Sequence, residues 1–169
     1  MIVDLATFTL FHVAISILGI IAGLVVVGGL LAGVGLEGWT AVFLVSTILT
    51  SVTGFGFPST AILPSHIVGG LSLVVLAVCV TARYLKHLTG VWRATFVISA
   101  VTALYFNVFV LVVQLFAKTP ALQELAPTQS EAPFAVTQAL VLALFVWIGR
   151  AAVRGFVPGS MRAARAAGH

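Results

Sequence analysis

The chain has 169 residues, of which 61% are hydrophobic and only 7% are charged. Soluble domains carry about a quarter charged residues, so this composition excludes a soluble globular domain and predicts an all-α integral membrane protein. The formal net charge is +4. Most basic residues flank apolar stretches and do not form a patch, so the charge indicates membrane topology and not a nucleic-acid partner.

A helix needs about 20 apolar residues to cross the hydrocarbon layer. Five stretches meet this requirement and predict a bundle of five transmembrane helices within residues 1–157: about 8–31, 39–57, 62–82, 92–116 and 134–154. Met1–Asp4 has no basic segment of the kind found in signal peptides, so the first span is expected to be retained. The second span is the shortest, and Gly54–Pro58 is compatible with early unwinding or a re-entrant turn.

Spans one and two each carry a stripe of small and polar residues. In span one, His12, Ser16, Gly19 and Gly23 follow spacings of four, three and four, which places them on one helical face. Lipid provides no hydrophobic reason for helices to associate, so small and polar residues mark the faces that pack against other helices. Both stripes are therefore expected to face into the bundle; the one in span two is Thr47, Thr50, Ser51 and Gly54.

The remaining spans contribute isolated polar side chains. Span three begins at Pro64, and His66 falls in its first turn. Span four places Asn107 and Gln114 on one face, and span five carries Gln138 near its start. Because an unpaired amide in hydrocarbon is costly, Asn107 and Gln114 are expected to bond to buried partners, and hydrogen bonding between helices is the simplest role.

Seven of the eight basic residues fall on one side of a five-span topology: Arg83, Lys86, Arg93, Arg150, Arg154, Arg162 and Arg165. The positive-inside rule puts that side in the cytoplasm, with the N-terminus outside and residues 158–169 forming a basic cytoplasmic tail. Topogenic charge explains these clusters better than recognition of particular lipids. Residues 118–133 are then an outer loop, in which Thr119 and Pro120 can start a short interfacial helix.

Two histidines on different spans are the only group of residues in the sequence that suggests a chemically active site. If the spans enter near Phe8 and Ile62, His12 and His66 both lie about one helical turn, roughly 6 Å, below the outer interface. Together they could ligate a metal ion or the iron of haem b, or exchange a proton; alternatively, each is a neutral, hydrogen-bonded residue at the membrane edge. The candidate ligand-binding residues are His12, Ser16, His66, Asn107, Gln114 and Gln138.

The sequence contains no complete catalytic motif. The spans have no carboxylate pair, no phosphate-binding loop and no HExxH motif, and a single cysteine, Cys79, excludes an intramolecular disulfide. We therefore expect a non-catalytic module that binds a small ligand or redox cofactor, of the haem or quinone class, in an outer-leaflet pocket. One alternative is an oligomeric channel or carrier whose pore follows Asn107, Gln114 and the Thr/Ser face of span two. Another is a structural or assembly subunit of a larger membrane complex.

The segment Tyr105–Gln114, followed by Thr119–Leu122 and Ala126–Phe134, resembles a stretch found in small uncharacterised bacterial multi-pass inner-membrane proteins. The resemblance covers span four, the outer loop and the start of span five. It implies a location in the bacterial inner membrane, but it implies neither an activity nor any site residues.

Overall fold

The computed structural model describes residues 4–58 and 64–157. This part of the chain is helical and contains no strand. Four of its helices are long and apolar enough to cross a membrane: Leu5–Leu31, Ser65–Leu85, Trp92–Lys118 and Ala132–Gly155. The prediction of an all-helical membrane protein is confirmed at this level, and the second predicted span is the one that falls outside the set of four.

The helices of the described residues are α1 (Leu5–Leu31), α2 (Glu37–Gly54), α3 (Pro64–Val80), α4 (Trp92–Lys118), α5 (Pro120–Leu125) and α6 (Ala132–Gly155). A π-helical turn, Thr81–Leu85, continues α3 without a break. The expected break after Pro58 lies partly outside the described residues, and the expected tail, 158–169, lies wholly outside them.

The composition of α2 explains why it differs from the four longer helices. It has 18 residues, begins at Glu37 and contains several Ser and Thr residues, which lower its apolar content. Many of these hydroxyls donate to a carbonyl one turn earlier, as Thr40 does to Leu36 at 2.7 Å, so they add no unpaired donor. The helix ends at Gly54, and the amides of Phe55 and Gly56 bond three residues back in a tightened turn. The helix thus ends within Gly54–Pro58, the stretch for which the sequence leaves early unwinding and a re-entrant turn as alternatives.

Contacts between helix ends define how the bundle is arranged. The guanidinium of Arg83 lies 3.7 Å from the Glu37 carboxylate, so the end of α3 meets the start of α2. Arg93, at the start of α4, donates to carbonyls at the end of α6. A Cβ on Gly155 would lie 2.9 Å from the Leu31 carbonyl oxygen, so α6 and α1 also end together. We call this end of the molecule the basic end and the opposite one the His12 end.

Burial is unevenly distributed between the two ends. Helix α4 is central, since it packs against α1, α3 and α6. The largest buried side chains, among them Phe43, Phe96 and Leu104, form one core. In contrast, no residue of α1 before Gly19 is buried. The α1–α2 pair is therefore anchored in the core through the half that adjoins the basic end, while the other half of α1 stands largely open.

The connection between α4 and α6 folds back over the His12 end of α4. Thr119 precedes α5, Pro120 is its first residue, and Phe116 packs edge-on against Phe134 with ring centroids 5.3 Å apart. The Gln129 side chain donates to the Val113 carbonyl at 3.0 Å, which ties this connection to α4. This segment therefore covers the face of α4 that adjoins α6.

Arg83 is unusual because its side chain is only 9% exposed. The π-helical turn directs it towards α4, where its guanidinium carbon lies 5.3 Å from the Phe96 ring centroid. Its acidic partner, Glu37, is 92% exposed. The contact with the aromatic ring and the burial of the aliphatic stem therefore hold this arginine more firmly than the ion pair does.

Replacing Glu37 with glutamine is expected to change the free energy of unfolding by less than about 1 kcal/mol, because an exposed ion pair in water contributes little. Chemical or detergent-induced unfolding of the two proteins would measure the difference. A loss of several kcal/mol would mean that the Arg83 charge depends on Glu37 and that the aromatic contact is secondary.

Candidate functional site

His12 is held in one orientation by α2. Its Nδ1 lies 2.8 Å from the Thr53 hydroxyl oxygen. That hydroxyl donates to the Leu49 carbonyl at 2.7 Å, so it accepts a hydrogen bond from Nδ1–H of the imidazole. The network thus assigns the proton of the neutral ring to Nδ1 and leaves Nε2 as a hydrogen-bond acceptor. Nε2 makes no hydrogen bond within residues 4–58 and 64–157.

Aromatic side chains surround this imidazole at the end of α2. The Phe57 ring meets the His12 ring edge-on, with centroids 5.1 Å apart. Phe8, one turn before His12 on α1, packs against the same Phe57 at 5.0 Å. Gly54 leaves space beside the imidazole, since a Cβ there would lie 3.8 Å from His12 Cε1. The result is a small aromatic and imidazole cluster at the open end of α1 and α2.

Polar groups continue from His12 towards the middle of the bundle along the contact between α1 and α2. The Ser16 hydroxyl lies 2.7 Å from the His12 carbonyl, to which it donates, and 3.4 Å from the Thr50 hydroxyl. One turn further, Gly19 faces a polar cluster from α2 and α4. We call this row the α1–α2 seam: His12, Ser16 and Gly19 on α1, with Thr53, Thr50, Thr47 and Ser46 on α2.

The α1–α2 seam closes near the middle of the bundle. Asn107 reaches it from α4 and donates to the Thr47 hydroxyl at 3.1 Å, while a Cβ on Gly19 would lie 3.4 Å from the Asn107 amide nitrogen. At the next turn, the side chains of Phe43 and Leu104 fill the space above Gly23. The row of polar groups therefore extends from His12 to Gly19, seven residues or about 10 Å along α1, and no further.

Gln114 does not join this hydrogen-bonded network, although a buried partner was expected for it. Gln114 is exposed, and its side chain makes no hydrogen bond within the described part of the chain. Gln114 shares a face of α4 with Asn107, and α1 approaches that face closely at Gly19 and Gly23, where small residues allow it. Gln114 lies seven residues beyond Asn107 on α4, and His12 lies seven residues before Gly19 on α1. Because the two helices are antiparallel and Asn107 lies beside Gly19, Gln114 is at about the level of His12.

His66 contacts the residue that follows α2. Its ring stacks on Phe55, with centroids 5.5 Å apart and an angle of 13° between the planes. Helix α2 packs against both α1 and α3, and the two histidines approach it from these different helices. Among residues 4–58 and 64–157, no group of three or more His, Cys, Asp or Glu side chains is arranged to hold a metal ion.

Gln138 belongs to the contact between α4 and α6. Its amide nitrogen donates to the Phe109 carbonyl at 3.2 Å, and its buried amide oxygen has no partner among the described residues. Of the six candidate residues, the structure brings His12, Ser16 and Asn107 to the α1–α2 seam. It leaves Gln114 exposed at the His12 level, and it places His66 and Gln138 against other partners.

Sequence analysis missed Thr53 and Phe57, which fix and cover the imidazole. Thr53 is three residues beyond Thr50, so it extends the polar stripe of α2 by one helical turn, and that spacing could have identified it. Phe57 offers no such signal, because it follows the end of α2 and its position depends on the tightened turn at Phe55.

Two shallow apolar cavities flank α4, away from the α1–α2 seam. One, of about 310 Å³, lies between α3 and α4; the other, of about 320 Å³, lies between α4 and α6. None of the six candidate residues lines either of them. No family model, curated protein or solved structure matches the chain. Its function must therefore be inferred from the arrangement of its own residues.

Proposed function

We propose that the chain is a five-span protein of the bacterial inner membrane that binds a small amphipathic ligand of the quinone class, without a catalytic step of its own. The ligand would occupy the open end of the α1–α2 seam. The observation that carries the proposal is the position of the His12 imidazole, whose Nδ1 lies 2.8 Å from the Thr53 hydroxyl while its Nε2 has no hydrogen bond among the described residues.

Two features support five spans and the proposed orientation. Helix α2 runs between the same two ends of the bundle as its neighbours, and 18 residues of α-helix span about 27 Å, close to the roughly 30 Å of a hydrocarbon layer. The end that carries Arg83, Lys86, Arg93, Arg150 and Arg154 would face the cytoplasm by the positive-inside rule. An odd number of spans then puts the N-terminus outside and the His12 end in the outer leaflet.

The polar groups at the His12 level have the hydrogen-bonding chemistry that the two oxygens of a quinone-type head group require. The Nε2 atom of His12 can accept a hydrogen bond that a quinol hydroxyl donates. The exposed amide of Gln114, at about the same level on α4, can donate to a ring carbonyl. Phe8 and Phe57 supply aromatic faces for the ring itself. Since α1 has no buried residue before Gly19, a lipophilic ligand can enter sideways from the lipid.

The same geometry favours this function over the haem and pore alternatives. A bis-histidine haem needs His12 and His66 on one iron, whereas the two rings pack against Phe57 and Phe55 respectively. A pore through one copy needs a continuous polar path, whereas the α1–α2 seam ends where Phe43 and Leu104 fill the space above Gly23.

The test is a titration of the purified protein in nanodiscs with a short-chain ubiquinol and the matching ubiquinone, followed by isothermal titration calorimetry. Replacing His12 with leucine is expected to raise the Kd for the quinol about tenfold, because it removes one hydrogen bond of about 1.4 kcal/mol. Gln114→Leu is expected to weaken the quinone more than the quinol.

The matched control is His87→Leu, which removes an exposed histidine of the basic end and should leave both affinities unchanged. Equal quinol affinities for His12→Leu and the unaltered protein, at matched melting temperatures, would refute the proposal. A Soret band in the purified protein that is lost in His12→Leu would mean that the ligand is haem and not a quinone.

A further inference from the structure

The cavity between α4 and α6 is a groove that opens sideways from the bundle. Its volume is about 320 Å³, and its walls are almost entirely apolar. On α6 it extends from Arg150 to Leu142, eight residues or about 12 Å, which is close to the depth of one leaflet of a hydrocarbon layer roughly 30 Å thick. The residues that line it include Ile98, Thr102, Phe106, Val146, Gly149 and Arg150.

Arg150 gives this groove a positive end. It is exposed, and it makes no ion pair or hydrogen bond within the described residues. Of the acidic residues that the structure describes, only Glu37 lies at the basic end, and it pairs with Arg83. Arg154 is also exposed and lies one turn further along α6, but it does not line the groove.

Gly149 leaves the floor of the groove open beside Arg150. A Cβ on this residue would meet Val101 Cγ1 at 3.7 Å, an ordinary van der Waals distance. Close packing therefore does not require a glycine at this position. Any larger side chain would fill the groove next to the charge. The groove thus combines an apolar channel one leaflet deep with an uncompensated cation at its mouth.

From this arrangement we infer that the groove binds one anionic glycerophospholipid of the leaflet at the basic end, with its phosphate on Arg150 and an acyl chain along α4 and α6. The inference rests on the membrane placement given under Proposed function but not on the His12 ligand. The sequence predicts only a topogenic role for Arg150; the groove is what distinguishes it from Arg154.

The test uses native mass spectrometry of the full chain in detergent, with added phosphatidylglycerol or phosphatidylcholine of identical acyl chains. One phosphatidylglycerol is expected to be retained preferentially. Arg150→Gln should weaken its retention about fivefold, the effect of one basic residue at a membrane surface, and bring it near that of phosphatidylcholine. Arg154→Gln removes the same charge from the same end and should change retention less than about twofold, since it does not line the groove.

Variants that fill the groove distinguish a specific lipid-binding site from the general attraction of anionic lipid to basic residues. Gly149→Leu and, independently, Thr102→Phe keep Arg150 and should abolish preferential retention in whichever variant melts within a few degrees of the unaltered protein. Equal losses in Arg150→Gln and Arg154→Gln, or full retention in both groove-filling variants, would overturn the inference. Quinol affinity should be unchanged in Arg150→Gln, so failure of this site and failure of the His12 site are distinguishable.

Discussion

Replacing Gly23 with valine is expected to lower the free energy of unfolding by about 3 kcal/mol, the upper part of the range for overpacking a core. A Cβ at this position would lie 2.6 Å from Leu104 Cδ1 and 2.8 Å from Phe43 Cε2, well inside van der Waals contact. Both neighbours are completely buried, so neither can move aside without displacing other core residues. Unfolding in mixed detergent micelles would measure the loss.

Gly28→Val is the matched control for this change. It introduces the same β-branched side chain into the same helix, but nothing lies within 4 Å of its Cβ, so the expected change is within about 0.5 kcal/mol. Comparable losses in the two variants would mean that helix propensity, and not close packing of α1 against α2 and α4, limits stability.

The second large effect is expected for Arg93→Met, which should cost about 3 kcal/mol, the upper value for hydrogen bonds to a charged group. One guanidinium nitrogen of Arg93 donates to the Val153 carbonyl at 2.9 Å and also to the Phe156 carbonyl. Carbonyls at a helix end have no partner within their own helix, so the variant leaves them unsatisfied. Only Phe145 and Ala152 of α6 are buried, which leaves few other contacts to hold this helix.

Trypsin cleavage at Arg154, together with equilibrium unfolding, would reveal the release of α6 in Arg93→Met. Arg93→Lys keeps the charge and one donor group and should recover part of the loss. The Arg150 side chain makes no such bond within residues 4–58 and 64–157, so Arg150→Gln should behave like the unaltered protein in both measurements. Normal stability of Arg93→Met would show that α6 is held by its apolar contacts alone.

The helical class and the separate polar stripes of α1 and α2 follow from the sequence because apolar length and the spacing of polar residues each depend on a single helix. The pairing of His12 with His66 does not follow, because counting residues along a helix gives the depth of a side chain but not the neighbour it faces. Gln114 illustrates the same point, since it shares a face with Asn107 but is exposed, whereas Asn107 donates to Thr47. The burial of Arg83 depends on a π-helical turn, which changes the direction of every residue after it.

The uneven burial along α1 implies a gradient of local stability across the membrane. Segments with few buried contacts open at a lower free energy than the core does, so amide protons near the open end of α1 should exchange with solvent deuterium sooner than those beyond Gly19. Opening of this half does not require disruption of the cluster around Phe43, Phe96 and Leu104. The bundle therefore consists of a cooperative unit at the basic end and a partly independent region at the His12 end, where α1 begins and α2 ends, and this region can open while the core stays folded.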